Sequence, residues 1–222
     1  MRVDLISYTQ DPERTVAAAC RLCYSASDID AIREAIDDQS AARMIGKVLK
    51  LGHLSVLEHA SFTFAIEGIS RACSHQLVRH RIASFSQQSQ RYVKMSECEF
   101  MLPPSIQERP EAVERFNGLM DDLQAEYNAL LEDGVAAEDA RYVLPNAAET
   151  KVIMTANARS LLNFLELRLC TRAQWEIREL AGLMLDKVRE VAPNVFKNAG
   201  PTCDTKGYCP EGEMSCGRIS NQ

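Results

Sequence analysis

The chain has 222 residues, 46% of them hydrophobic, and a formal net charge of −6. This length supports one good core, so we expect a single globular domain. The negative charge argues against a protein that binds nucleic acid over a broad surface. The N-terminal sequence MRVDLISYTQ does not predict a signal peptide, and no apolar run approaches the roughly 20 residues that span a bilayer. We therefore expect a cytoplasmic protein without a membrane or nucleic-acid partner.

The first part of the chain predicts one strand and then two helices. Residues 2–8 show a loose apolar alternation that is typical of a strand. The sequence Asp-Pro-Glu at 11–13 places a proline at an early helical position and begins a helix that runs through TVAAACRLCY. A stripe of apolar residues at helical spacing predicts a second helix over 28–51. Gly52 ends that helix.

A helical turn, a strand and a polar segment follow. Ser55-x-x-Glu58 has the form of a capping box that opens a helical turn, although His and Glu side chains here are also possible metal ligands. Residues 61–69 alternate as a strand does, with its aromatic residues on one side. The helical pattern returns over 70–81. Residues 83–92 are polar and indicate an irregular or strand-like segment.

The C-terminal half is mainly helical and ends in a segment of a different kind. The further elements are helices over 108–133, 136–142, 160–169 and 174–191 and a strand over 150–155. The tail over 201–222 is rich in Gly, Pro and Cys and shows no periodicity. We therefore assign 1–200 to one domain of the α+β class and 201–222 to a separate tail.

The stretch Arg71–Lys94 contains five cations and no acid. Such a segment in an acidic protein predicts an anion site, and the planar fork of arginine suits phosphate. The chain contains no glycine-rich phosphate loop, so side chains would have to hold a nucleotide. The alternative is a solvated helix end followed by a polar loop. Directional hydrogen-bonding groups favour the anion site: Ser84, Ser86, Gln87, Gln88, Ser89, Gln90 and Tyr92.

The cysteines fall into two groups. Three are isolated in the sequence and predict small buried side chains: Cys73, Cys98 and Cys170. Cys203-x5-Cys209-x6-Cys216 lies in the tail, which cannot fold by burial alone, and Cys20-x-x-Cys23 is a possible partner pair. A structural zinc or iron–sulfur site is thus an alternative to free thiols. Because the spacings match no standard zinc finger, we predict no metal ligand.

The basic segment also carries a resemblance. Arg79-His80-Arg81, seven further residues and Ser89 are similar to the RHR-x7-S signature of the flavin-dependent thymidylate synthases. The likeness extends in order over about residues 1–200. Its other parts are GHLSVLEH with His53 and His59, ARYVLP with Arg141, Asn157-Ala158-Arg159-Ser160, Asn163, and NFLELR with Arg168 followed by AQWEI.

The resemblance implies a fold, an assembly and a reaction. The fold would be a single α+β domain with a central, mostly antiparallel sheet flanked by helices. The assembly would be a homotetramer whose active sites are shared between subunits. The reaction would be the reductive methylation of dUMP to dTMP, with methylenetetrahydrofolate as the carbon donor. NADPH would reduce FAD, which would deliver the hydride.

The resemblance also implies a role for individual residues. The flavin would contact Cys23, His53, Ser55, Glu58, Arg79, His80, Arg81, Ile82, Gln87, Asn157, Arg159 and Asn163. The dUMP would contact Gln76, Arg79, Gln87, Gln88, Ser89, Gln90, Arg91, Arg141 and Arg168. Arg168 would be the catalytic residue, because a permanent cation stabilises negative charge that develops on the pyrimidine. Three positions depart from what some members carry: Gln87 replaces Glu, Gln90 replaces Gly and Cys23 replaces Ser.

Some questions are open at this level. Asn163 stands among apolar neighbours, and a buried amide there would need a hydrogen-bond partner. No base is evident beside Ser89, so we predict that it binds substrate and is not a nucleophile. Arg168 is also a plain C-terminal cation of its helix. The rival functions are a non-enzymatic nucleotide- or RNA-binding module that uses residues 71–94, and a flavoprotein that methylates uracil within RNA.

Overall fold

Four strands form one antiparallel sheet in the computed structural model, which describes residues 1–219. The strand order is β1-β2-β4-β3. The strands are β1 Arg2–Tyr8, β2 Ser61–Ser70, β3 Ser84–Gln87 and β4 Glu149–Asn157. With the helices beside this sheet, the predicted α+β class and the mainly antiparallel sheet are confirmed.

Helices account for most of the other ordered residues in 1–219. The α-helices are α1 Pro12–Leu22, α2 Ile29–Glu34, α3 Asp38–Leu51, α4 Arg71–Leu77, α5 Pro104–Gln107, α6 Pro110–Glu132, α7 Ala137–Ala140, α8 Ala158–Arg168, α9 Trp175–Val191, α10 Pro193–Phe196 and α11 Thr202–Lys206. The 3₁₀ turns are Leu54–His59, Arg141–Val143 and Gly212–Met214. Within residues 1–219, no helix is both long enough and apolar enough to cross a membrane.

The contacts divide the chain into two compact units. The first unit comprises residues 1–2, 66–79 and 85–153. Its long helix α6 packs against α5, α7 and the 3₁₀ turn Arg141–Val143. Tyr127 of α6 is fully buried, and its hydroxyl accepts a hydrogen bond of 3.0 Å from the backbone N–H of Met95. This bond ties the chain after the basic segment to α6.

The second unit comprises residues 3–65, 80–84 and the described residues from 154 onward. Helix α1 packs against α2, α3 and the 3₁₀ turn Leu54–His59, while α8 packs against that turn and α9. Phe62 of β2 meets Phe196 of α10 edge-on, with ring centroids 5.5 Å apart. Both rings are fully buried, and each contributes about 1.5–3 kcal/mol through burial.

The helix predicted over 28–51 is two helices. Asp28 caps α2 by accepting from the N–H of Ala31 at 2.8 Å, and Asp37 caps α3 by accepting from the N–H of Ser40 at 2.7 Å. An aspartate side chain competes for backbone donors and so favours a new helix start over continuation. The apolar stripe continues on both helices, which is why periodicity alone did not show the break.

Two further helix boundaries differ from the prediction. The turn after Gly52 is a 3₁₀ turn whose first residue is Leu54, so Ser55 lies inside it and the predicted capping box is wrong. The helix predicted over 70–81 begins at the Ser70 cap but ends at Leu77, and Val78 is 37% exposed. The chain leaves helical geometry there, and His80 is buried in the second unit.

Candidate functional site

Strand β3 places Gln87 in a fixed orientation within the first unit. Its side-chain Nε2 donates to the hydroxyl of Ser74 at 2.8 Å and to the hydroxyl of Thr150 at 3.1 Å. The next residue, Gln88, donates its backbone N–H to Lys151 of β4 at 2.9 Å. Both donors of the Gln87 amide are therefore satisfied, which fixes the amide plane.

Two arginines of the first unit bind the same acidic residue. Arg91 contacts Oε2 of Glu138 through Nε at 2.9 Å and through a terminal nitrogen at 2.8 Å. Arg141 donates from Nε to the backbone carbonyl of Glu138 at 2.9 Å. Burial lowers the pKa of Arg71, and the charge of Arg141 lowers it further. We call Arg71, Arg91 and Arg141 the arginine cluster.

The arginine cluster is suited to an anion. Only Arg91 pairs with the Glu138 carboxylate, Arg141 bonds the backbone carbonyl of the same residue, and the mutual effect of Arg71 and Arg141 is repulsive. A dianionic phosphate would relieve that repulsion and accept hydrogen bonds from the planar forks. Sequence reasoning missed Arg71 and Glu138 as site residues. The spacing of Glu138 and Arg141, one helical turn apart, was the available signal.

Gln90 has a buried donor without a partner. Among residues 1–219, its Nε2 is the one buried side-chain nitrogen or oxygen that makes no hydrogen bond within the protein. An unsatisfied buried polar group costs about 1–3 kcal/mol. The neighbouring Ser89 hydroxyl accepts from the backbone N–H of Arg91 at 3.2 Å, which makes it part of a tight turn. The turn thus presents an amide donor that a ligand oxygen can satisfy.

His80 is held inside the second unit by a hydrogen bond between its ring and Ser160. Its Nε2 lies 2.7 Å from the hydroxyl of Ser160, and that hydroxyl donates its single proton to the carbonyl of Ile82. The Ser160 oxygen must therefore accept from His80, so the ring proton is on Nε2. The ring also meets Phe164 edge-on at 5.4 Å.

The surroundings of His80 favour the neutral ring. Burial lowers the pKa of His80, a hydrogen bond to the backbone of Ser160 opposes that shift, and the nearby charge of Arg168 lowers the pKa further. Arg168 is the last residue of α8, as the sequence predicted, and it is partly buried. Arg81 and Ile82 are exposed beyond the buried histidine, and Ile82 is 69% exposed.

A cleft in the second unit brings together several residues of the predicted flavin set. It has a volume of 340 Å³, and Cys23, His53, Ser55 and Arg159 line it. The hydroxyl of Tyr24 lies 3.3 Å from Nδ1 of His53. Glu58, which the capping-box interpretation assigned to the backbone, instead binds Arg159 with an Nη1–Oε1 distance of 2.5 Å.

A second cavity of 520 Å³ shares several residues with the cleft. The shared residues are Cys20, Tyr24, Val48 and His53. The second cavity adds two cations that sequence reasoning missed, Arg21 and Lys47. With Arg159 in the cleft, these cations suit the pyrophosphate of a dinucleotide.

Helix α8 carries the last three residues of the predicted flavin set. Asn157 is its N-cap and accepts from the N–H of Ser160 at 2.9 Å. Asn163 is exposed, so the expectation of a buried amide is wrong. The reason is that its side chain lies on the helix face opposite to Leu161, Phe164 and Leu165, which are buried.

The predicted site residues are distributed over both units. Of the dUMP set, only Arg168 belongs to the second unit. Of the flavin set, only Arg79 and Gln87 belong to the first unit. Arg79 is exposed and Gln76 is partly buried.

Comparison with known proteins gives a consistent result. Residues 4–194 match the family described as thymidylate synthase complementing protein. A relative from Geobacter sulfurreducens is 55% identical over 99% of this chain and 95% of its own length. Relatives from Clostridium tetani and Nitratidesulfovibrio vulgaris are 46% and 48% identical, over 99% and 98% of this chain and 94% of their own lengths. All three are named flavin-dependent thymidylate synthases.

Proposed function

The chain belongs to the thymidylate synthase complementing protein family and is a flavin-dependent thymidylate synthase, and we propose from this premise how its residues serve the reaction. The substrate is dUMP, methylenetetrahydrofolate provides the carbon, and NADPH is the reductant. The flavin is FAD, and when bound it supplies the hydride. Membership of this family argues against the two rival interpretations, a binding module and an RNA-modifying flavoprotein.

The observation that carries the nucleotide site is the arginine cluster around Glu138. Arg91 and Arg141 are already oriented by Glu138, so less side-chain entropy is lost when they bind phosphate. Gln90 brings a buried donor without a partner to the same segment of the chain. Gln76, Gln87, Gln88 and Ser89 provide the remaining polar groups for the sugar and the base.

The flavin site is proposed at the cleft and cavity of the second unit. Arg159 lines the cleft and is braced by Glu58. Cys23, His53 and Ser55 line the same cleft. Asn157 and Asn163 on α8 and the exposed pair Arg81 and Ile82 complete the part of the set that belongs to this unit. Arg79 and Gln87 belong to the first unit, and their assignment to the flavin rests on the resemblance alone.

His80 acts in this proposal mainly by positioning its neighbours. Because its ring is buried and its Nε2 is bound to Ser160, it fixes the backbone that exposes Arg81 and Ile82. Ser160 reinforces this through its bond to the carbonyl of Ile82. A neutral ring in this place also avoids adding a charge beside Arg168.

Arg168 is proposed as the catalytic residue. Methylation at C5 of uracil needs a nucleophilic carbon, which arises when negative charge is stabilised on the imide of the ring. A guanidinium stays protonated throughout and can stabilise that charge. Ser89 binds substrate in this scheme, in agreement with a hydroxyl that accepts a backbone hydrogen bond in a tight turn.

We further propose a homotetramer with shared active sites that works in the cytoplasm. The resemblance implies this assembly, and large apolar side chains on the surface are available for contacts between subunits. Strand β1 exposes Ile6 and Tyr8 at 54% and 46%, and α6 exposes Leu119 at 55%. Light scattering of the purified protein should give about four times the chain mass of 24.8 kDa.

The test of the proposed sites is the flavin absorption spectrum. We expect FAD-loaded protein to show a shift of its flavin bands when dUMP is added, because both ligands bind in one active site. Deoxyuridine, which has no phosphate, should need far higher concentrations for the same shift. Equal responses to dUMP and deoxyuridine would overturn the phosphate role of the arginine cluster.

A further inference from the structure

Four of the eight cysteines line one small cavity at the C-terminal end of α8. The cavity has a volume of 60 Å³, and Cys170, Cys203, Cys209 and Cys216 are among its lining residues. Cys170 follows α8 directly, and the other three belong to the tail. The sequence suggested Cys20 and Cys23 as partners of the tail thiols, but those two lie at the flavin cleft.

The tail has almost no apolar core to hold it in place. Residues 203–219 contain no buried residue. The contacts that attach the tail are polar: Lys206 binds Glu166 at 2.7 Å, Thr202 donates to Glu166 at 2.6 Å, and Arg172 donates to the carbonyl of Met214 at 3.1 Å. Exposed ion pairs contribute about 0.2–1 kcal/mol each, which is little for ordering so many residues.

Charged side chains also line the cavity beside the four thiols. Two arginines, Arg172 and Arg218, line the same cavity. Arg172 pairs with Glu211 at 3.4 Å and Arg218 pairs with Asp204, so ion pairs of the tail surround the four thiols.

We propose that Cys170, Cys203, Cys209 and Cys216 bind one Zn²⁺ ion that fastens the tail to the end of α8. Zinc accepts four thiolates in a closed structural site, and each bound thiol releases its proton to solvent. The cavity is small, at 60 Å³, and its four cysteines provide the ligand number of a single tetrahedral ion.

The four thiols must move closer together before they can bind one zinc ion. Among residues 1–219, no three His, Cys, Asp or Glu side chains stand close enough together to ligate a metal as they are placed. Metal sites of this kind seldom exist before the ion binds, and the binding free energy orders the ligands. The exposed, weakly attached tail is a segment that can make that adjustment.

The first experiment is metal analysis of untagged, full-length protein. We expect about one zinc per chain, the stoichiometry of a closed structural site. Cys209→Ser and Cys170→Ser should each lose most of that zinc, and the second variant shows that α8 takes part. Cys98→Ser removes a partly buried thiol of the first unit and should retain the metal.

A second measurement on the unmodified chain avoids dependence on the variants. Chelated protein titrated with Co²⁺ should develop the absorption of tetrahedral thiolate coordination, saturating at about one equivalent. Metal-free protein with four alkylatable thiols, two disulfides in this set, or iron with labile sulfide would each overturn the proposal. None of these results depends on flavin or nucleotide binding.

Discussion

The two ends of the RHR-x7-S signature, residues 79–89, have opposite physical character. At one end His80 is buried, and its Nε2 and the hydroxyl of Ser160 satisfy each other and the carbonyl of Ile82. Just beyond the other end, Gln90 keeps a buried Nε2 without a partner, and the next residue, Arg91, is a member of the arginine cluster. A single stretch of chain therefore combines residues that stabilise the fold with residues whose polar groups await a ligand.

The largest expected effect is a loss of dUMP affinity when the ligand-binding end is changed. Arg141→Ala should weaken dUMP binding about 30–160-fold, because a charge-assisted hydrogen bond to phosphate contributes about 2–3 kcal/mol. The measurement is a dUMP titration followed by flavin absorption. Arg115→Ala, which removes an exposed cation from α6, is the control and should bind normally. An Arg141→Ala protein with unchanged affinity would contradict the assignment of the phosphate site.

The next effect concerns the structural end. Ser160→Ala should lower the free energy of unfolding by about 1–3 kcal/mol, because His80 and the carbonyl of Ile82 lose their shared partner in a buried place. Denaturant unfolding of the flavin-free protein measures this change in the free energy of unfolding. Ser86→Ala, at an exposed position of β3, should change little. Equal stabilities of the two variants would show that the network is not structural.

The third predicted effect is smaller, and it is a gain in stability rather than a loss. Gln90→Met should raise the free energy of unfolding by about 1 kcal/mol, since it removes an unsatisfied donor at similar volume, and should weaken dUMP binding about tenfold. Gln124→Met is the matched control. It removes an amide that bonds Met95 and Cys98, so it should destabilise the protein. A destabilised Gln90→Met protein would refute the idea that this amide is kept for a ligand.

The smallest effect is the pH dependence that His80 gives to stability. Because the folded-state pKa of His80 lies below the ordinary value of 6.5, the unfolded chain binds more protons between those two values. The contribution of His80 is therefore complete above pH 6.5 and is lost as the pH falls towards the folded-state pKa. Unfolding curves measured below pH 6.5 should show this loss of stability in the unsubstituted protein and a weaker loss in the His80→Gln variant. Parallel curves would contradict the burial argument.

Local sequence patterns predicted correctly those features that depend on a single helix or strand. The alternation of Phe62, Phe64 and Ile66 predicted the buried face of β2, and the apolar spacing of α6 predicted a helix close to its observed bounds. The same reasoning failed at Asp37, where one side-chain oxygen divides a continuous stripe into two helices. It failed again at Asn163, because apolar neighbours in sequence do not share a helix face with it.

The sequence by itself determined the family, the fold class and the identity of most candidate site residues, because the signature and the periodicities are local. Only the tertiary structure decided which residue does what. It paired His80 with Ser160, 80 positions away, paired Arg91 with Glu138, 47 positions away, and placed Cys170 beside the tail thiols. Such contacts join residues that are far apart in the chain, and their geometry follows from packing, which no local pattern encodes.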